Sequence, residues 1–425
     1  MDTPRSDPSN AIIRLDRPAQ GGAVGRAEDG CVTFVRHALP GELVRARTTE
    51  VTARFRRADA VEILEASAER VDPLCPYAHP GGCGGCDLHH ASSLEQRRWK
   101  SAVVEEHLRR IAGVKLSVDT LSPTSSARGS RTRLRCAVDD EGRLGLFEAR
   151  SRRTVALDAC WVADGVFRTA FNRRWRGASE VELRAVGDGP AFAVVRTVGN
   201  GGDAYDVWSL DGVRLSPTTR SRVRVGENVF AVSPRSFWQP HRDAPSTLTD
   251  VVTRWLDPSP GDDVVDLFGG VGLFSLPLAR LVGSRGRVTV VESSPFAVRD
   301  ARDNLAGLAQ ATVRQWSVGA RSINDAVRED SLVVLDPPRQ GLARGTVASL
   351  VRRSPRRVVY VSCDAATFAR DLKEFLNGGF VLNRLEVWDL FPMSEHVEVV
   401  ALLDRGVGRV NSAGEAESFG LRPGG

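Results

Sequence analysis

The 425 residues contain no apolar run approaching the ~20 that a membrane-spanning helix needs. The opening stretch, MDTPRSDPSN, lacks the apolar core of a secretory signal, so a cytoplasmic protein is expected. The cysteines number seven, an odd count that excludes complete pairing into disulfides, and Cys75, Cys83 and Cys86 crowd into twelve residues. In a reducing compartment such a cluster points to metal binding rather than cross-linking. Lysine is almost missing, and arginine supplies nearly all of the 58 basic side chains. A GC-rich genome explains arginine over lysine but not where the excess falls. With 42% hydrophobic and 26% charged residues, the composition is that of a globular chain of two to three domains.

The net charge is +5 and the isoelectric point is near 9.0, which permits a polyanionic partner. The distribution is more telling. From Arg97 to Arg184 there are 19 Lys and Arg against 11 Asp and Glu, which leaves the rest of the chain slightly acidic.

Residues 1–10 are polar and expected to be disordered. From 11 to 66, short alternating or apolar runs (Cys31 to Val35, Glu42 to Thr49, Ala58 to Leu64) sit between Gly and Pro punctuation. Such spacing predicts a small OB-like β-barrel, a fold that binds single-stranded nucleic acid. Arg45, Arg47, Arg54, Arg56 and Arg57 are its candidate phosphate contacts, or else a solvated strand edge. Next comes CPYAHPGGCGGC, with spacing C-x7-C-x2-C, and a fourth cysteine far downstream, Cys160. Four thiolates of this kind suit an iron–sulfur cluster or a structural zinc, and the paired glycines let the backbone bend round it. Leu94 to Ile111 has helical periodicity. Residues 131–232 read as strands carrying the basic excess, so 67–244 is expected to be a β-rich central domain.

The last unit, 245–405, is expected to be an α/β sheet, followed by a disordered tail from 406 to 425. VVDLFGGVGLFSLPLAR is a strand, a Gly-rich turn and a helix, which lets a nucleotide approach the helix amino end. Glu292 ends the next strand, where an acid bonds ribose hydroxyls. The leading Asp266 suits S-adenosylmethionine (SAM) enzymes better than the full dinucleotide pattern. In LVVLDPPRQG a strand ends at Asp336. In VVYVSCDAATFARDL a strand ends at Cys363, just before a helix, where a thiol has a route to a lowered pKa and so to nucleophilicity. VLNRLEVWDLFPMSEHVEVVALL reads as a hairpin of long strands, with Glu398 in the second. Within SFWQPHRDA, Phe237 and Trp238 suit the core, and Gln239 suits a base or cofactor contact.

DLFGGVGLF, LDPPRQG, YVSCDAATFARDL and LFPMSEHVEVV, in this order, resemble the uracil-5 RNA methyltransferase family, over about residues 10–405. The resemblance implies a multidomain chain: an amino-terminal TRAM barrel, a central 4Fe-4S domain and a Rossmann-like SAM-dependent methyltransferase domain. It implies Cys363 as nucleophile and Glu398 as base. Gln239, Phe268, Glu292 and Asp336 fall on cofactor positions, and Cys75, Cys83, Cys86 and Cys160 fall on cluster ligands. The chain departs from the family's pattern in its longer first cysteine gap, in Leu273 and Ser317 where cofactor contacts usually stand, and in Gln239-Pro240-His241. The implied partner is RNA, rRNA rather than tRNA by the cluster cysteines. No membrane or protein partner is implied, and a monomer is expected. Rival readings are methylation of cytosine carbon-5 or of an exocyclic amine, and a non-catalytic RNA-binding factor.

Overall fold

The computed structural model describes residues 10–406, apart from 188, 200–201 and 217–218. The segments expected to be disordered therefore fall outside the described residues, except Asn10, which opens a strand, and Gly406. Five strands come first: β1 (Asn10–Ala19), β2 (Gly22–Arg26), β3 (Val32–Arg36), β4 (Leu43–Val51) and β5 (Arg56–Glu65). They close into a barrel in the order β1-β2-β3-β5-β4, with β4 returning to β1. Alternation explains the inside: Ile13 and Leu15 of β1, Val44 and Ala46 of β4 and Ala58 and Ala60 of β5 are buried, with charged residues between them.

Helix α1 (Ser93–His107) follows the cysteine-rich stretch. Ser92 caps it by accepting the Glu95 N–H, and one wider turn, Leu108–Ala112, extends it. After the two-residue β6 (Thr120–Leu121) comes an antiparallel six-stranded sheet. Its strands are β7 (Arg133–Val138), β8 (Leu144–Phe147), β9 (Thr154–Ala156), β10 (Glu180–Arg184), β11 (Phe192–Gly199) and β12 (Gly202–Ser209), with the short α2 (Arg168–Phe171) packed on it. A hairpin, β13 (Ser221–Val225) and β14 (Asn228–Val232), leads into α3 (Ala244–Leu256).

The carboxyl-terminal sheet is built from β15 (Asp263–Leu267), β16 (Arg287–Glu292), β17 (Ala311–Gln315), β18 (Leu332–Leu335), β19 (Arg357–Ser362), β20 (Phe380–Trp388) and β21 (Glu398–Arg405). Helices α4 (Ser275–Val282), α5 (Pro295–Asn304), α6 (Ala320–Ala326), α7 (Thr346–Arg353) and α8 (Ala365–Asn377) connect them. The order is β17-β16-β15-β18-β19-β21-β20-β6; β15 to β19 are parallel, while β21 runs antiparallel to both β19 and β20. Strands buried on both faces read as continuous apolar runs. Val264, Val290, Val334 and Val359 face a core with α3, α4 and α5, whereas Val265, Val291, Val333 and Val358 face one with α6, α7 and α8.

The cores do not separate at residue 244. Val223, Val225, Phe230 and Val232 of the hairpin join the first of these clusters, and Val104 and Leu108 join the second. β6 adds to the sheet beside β20. Pieces expected in the central domain thus buttress the carboxyl-terminal sheet from both faces and one edge.

Candidate active site

Strand register assembles the site. The parallel ladders pair Leu267 with both Val291 and Leu335, and Leu335 with Tyr360. One residue further along these strands stand Glu292, Phe268 and Asp336, side by side at the carboxyl edge. The antiparallel ladder pairs Ser362 with Val399, so the next step sets Cys363 opposite Glu398. Gln239, arriving from the loop before α3, is buried and donates from Nε2 to Asp336 Oδ2 at 3.1 Å. The structure thus brings all six residues expected in the catalytic and cofactor sites to one strand edge.

Local geometry follows from the sequence. Phe268 has φ 67°, a left-handed conformation that turns the chain abruptly out of β15. Glu292 reaches back to accept the Gly270 N–H at 3.0 Å and takes the Ser293 and Ser294 N–H groups at 2.7 Å. Beneath the turn, Asp266 is fully buried; its Oδ2 accepts the Ser275 hydroxyl at 2.5 Å and its Oδ1 has no partner. Asp364 caps α8 by accepting the Thr367 N–H at 2.8 Å, which fixes Cys363 at the end of β19. Of the departing positions, Leu273 is buried in the core and Ser317 lies just past β17.

Electrostatically the edge is short of positive charge. Burial, with the Asp266 carboxylate adding, pushes Asp336 up to about 7. Burial pushes Asp266 up to about 6 against the Ser275 hydroxyl. Glu398, 4% exposed, is raised well above the usual carboxylate range by burial and by Asp336, while Arg339 opposes this. Buried carboxyls with so little positive charge beside them suit a cationic ligand such as a sulfonium. Cys363 differs from expectation. Its position before a helix suggests a lowered pKa, yet burial and the Glu398 and Asp336 carboxylates push the thiol up to about 12. Burial and three carboxylates, those of Glu398, Asp336 and Asp364, dominate at this thiol. Arg339, the residue after the Asp336-Pro337-Pro338 turn, pulls the thiol the other way, and sequence reasoning did not single it out.

The four clustered cysteines also come together. Cys75, Cys83, Cys86 and Cys160 line one cavity of about 170 Å³, beside Arg131, Tyr77, Leu134 and Trp161. A Cβ on Gly82 would stand 2.3 Å from the Tyr77 carbonyl oxygen, and one on Gly84 would stand 2.5 Å from the Ala149 nitrogen, so the loop requires both glycines. The Gly85 N–H donates to Cys83 Sγ at 3.4 Å. Among the described residues no three His, Cys, Asp or Glu side chains converge to hold a single metal ion. Of the five barrel arginines, Arg45, Arg56 and Arg57 are ion-paired with Glu62, Asp29 and Glu50, which weakens the expectation that the whole set tracks phosphates. Phe237 is 48% exposed under the Arg133 guanidinium, whereas Trp238 is core. Among the described residues no helix is long and apolar enough to cross a membrane.

The family described as tRNA (uracil-5-)-methyltransferase matches residues 219–406. An uncharacterized RNA methyltransferase of Streptomyces coelicolor is 39% identical, covering 94% of this chain and 95% of its own. The 23S rRNA (uracil(1939)-C(5))-methyltransferase of Acinetobacter baylyi is 32% identical over 89% of this chain and 90% of its own. The fold is similar to that of the Pyrococcus abyssi tRNA (uracil-54, C5)-methyltransferase bound to S-adenosyl-L-homocysteine, with a TM-score of 0.66, 23% identity and coverage of 92% of this chain and 100% of that one. A Gly turn over a charge-poor carboxylate edge, a thiol facing a carboxylate and relatives of matching length agree: the chain belongs to the SAM-dependent RNA (uracil-5-)-methyltransferase family.

Proposed function

We propose that this enzyme forms 5-methyluridine in structured rRNA, with Cys363 as nucleophile and Glu398 as base. The observation that carries the reading is the register step that sets Cys363 opposite Glu398, beside Asp336 and Gln239. Carbon-5 of uracil is too poor a nucleophile to take a methyl group unaided. The Cys363 thiolate adds to carbon-6, and the displaced electron pair makes carbon-5 an enolate carbon. SAM, when bound, supplies an electrophilic methyl group. Carbon-5 takes that methyl, Glu398 removes the carbon-5 proton, and the C5–H pair re-forms the double bond as the S–C6 pair leaves with Cys363. Gln239, Phe268, Glu292 and Asp336 would hold the cofactor, the Glu292 carboxylate being suited to ribose hydroxyls and the buried Asp336 carboxyl to a cationic group. Arg339 favours the ionised forms of Cys363 and Glu398. The target base has to leave its stack to reach the edge. The barrel, read as a TRAM domain, and the basic stretch 97–184 hold flanking RNA through salt-sensitive phosphate contacts.

Cys75, Cys83, Cys86 and Cys160 are read as ligands of a 4Fe-4S cluster. Zinc needs four donors converging at about 2.3 Å; thiols ringing a cavity suit a cluster with sulfur at its corners better. Arg131 beside them supplies compensating positive charge. The reaction has no redox step, so the cluster is structural. The rRNA preference is supported by relatives named as 23S rRNA enzymes at 32% and 33% identity. Incubation with SAM and separate rRNA and tRNA pools, followed by nucleoside mass spectrometry, tests the whole reading. The expected product is 5-methyluridine in rRNA, abolished by Cys363→Ala. An N-methylated base formed equally by Cys363→Ala would replace this reading with amine methylation.

A further inference from the structure

Lys100 is one of three lysines in the chain, and the other two, Lys115 and Lys373, are exposed. Lys100 is 0% exposed. A buried ammonium is costly unless fully paired, and this one is spent on a single loop. Its Nζ pairs with the Asp389 carboxylate and donates to the Phe391 carbonyl oxygen at 2.9 Å. One turn earlier on α1, Gln96 Oε1 accepts the Met393 N–H at 3.0 Å, and Gln96 Nε2 donates to Met393 Sδ at 3.3 Å. Met393 has φ 64°, a conformation that a non-glycine residue keeps only under constraint. Its carbonyl oxygen accepts two N–H groups, those of Asp87 and Leu88, both at 2.9 Å. Two residues on, Glu395 Oε2 accepts the Gly21 N–H of the barrel at 2.5 Å.

All these contacts fall on the nine residues between β20 and β21. The next residue, Glu398, opens β21 opposite Cys363. We propose that Lys100 is a positioning residue for methyl transfer: through Asp389 and Phe391 it sets the loop that delivers the Glu398 carboxylate to carbon-5. The inference rests on the reading of Glu398 as the base. The Asp87 and Leu88 N–H groups directly follow Cys86, so the same loop also abuts the cysteine cavity.

The chemistry gives a readout that loss of folding alone does not. Glu398 acts after the methyl has arrived. With the carboxylate displaced, carbon-5 carries both methyl and proton, no electron pair is freed to re-form the double bond, and the S–C6 bond stays. RNA remains joined to Cys363. The full-length protein is therefore mixed with natural RNA and methyl-labelled SAM, and run on a denaturing gel as wild type, Lys100→Met, Gln96→Leu and Glu398→Gln. SAM affinity and melting curves identify the folded variants. Lys100→Met is expected to bind SAM as the wild type does, to turn over on the order of 100-fold more slowly, as for a misplaced group, and to accumulate a labelled RNA adduct as Glu398→Gln does. Gln96→Leu, which keeps the ion pair, is expected to give a weaker form of the same adduct, and it decides the matter if Lys100→Met does not fold. An adduct in Glu398→Gln alone, with the folded Lys100 and Gln96 variants turning over without one, overturns the positioning role. No adduct in Glu398→Gln overturns the assignment of the base itself.

Discussion

Asp336 offers the most quantitative handle on this site. Its carboxyl sits at about 7 because it is buried beside another carboxylate, Asp266, with one donor, Gln239 Nε2, to relieve it. An acid raised in the folded state favours folding while protonated, and its ionisation costs stability as pH climbs from the ordinary carboxylate range through about 7. A cation that binds only the ionised form reverses that cost and releases a proton. SAM affinity should therefore be flat above about pH 7.5 and weaken by up to about tenfold per pH unit below 7, a ceiling of about 100-fold by pH 5. Titration calorimetry in two buffers of different ionisation enthalpy reads both the affinity and the proton. Asp336→Asn should bind SAM weakly and with a much flatter pH profile. Gln239→Leu removes the donor that favours the ionised form, so it should move the midpoint to higher pH. Affinity independent of pH in the wild type, or an unchanged slope in Asp336→Asn, would refute the reasoning.

Gly269→Ala would push a methyl to 2.5 Å from Val290 Cγ1 and 3.2 Å from Asp266 Cγ. It should cost about 1–3 kcal/mol, seen as a lower melting temperature, together with loss of SAM binding. Phe368 is 0% exposed and edge-on to Tyr360 at 5.5 Å; Phe368→Ala should cost about 3–5 kcal/mol in denaturant unfolding. Cys86→Ser should lower iron and sulfide content per chain and broaden the melting transition, whereas Cys31→Ser, at the half-buried edge of the barrel, should change neither.

What the sequence discloses depends on how locally a feature is encoded. β19 and β21 are apolar runs whose ends are marked by Cys363 and Glu398, so a reader who counts residues from each strand end brings the two near one edge. The four cysteines announce a common purpose by type and spacing, whereas the sequence does not tell Trp238, which is core, from its neighbour Phe237, which is exposed. β6 carries no such signal, because two residues have no periodicity. Nor does the division of cores, since whether Val223 or Val104 packs centrally or on the carboxyl-terminal sheet depends on partners far away in the chain. The influences on the Cys363 thiol are hidden for the same reason. The helix after it is visible in sequence, but burial and the Glu398 and Asp336 carboxylates converge on it only in three dimensions. Lys100 looks like any helix-surface lysine until Asp389, 289 positions away, is found against it.

The central claim is covalent catalysis by Cys363, and one experiment addresses it directly. RNA in which uridine is replaced by 5-fluorouridine cannot lose a proton from carbon-5, so the methylated adduct has no exit. Wild-type protein with SAM and this RNA should give a slow-moving band on a denaturing gel, resistant to boiling and carrying the methyl label, and Cys363→Ala should give none. A wild-type lane without the band, from protein that methylates natural RNA, would contradict the account.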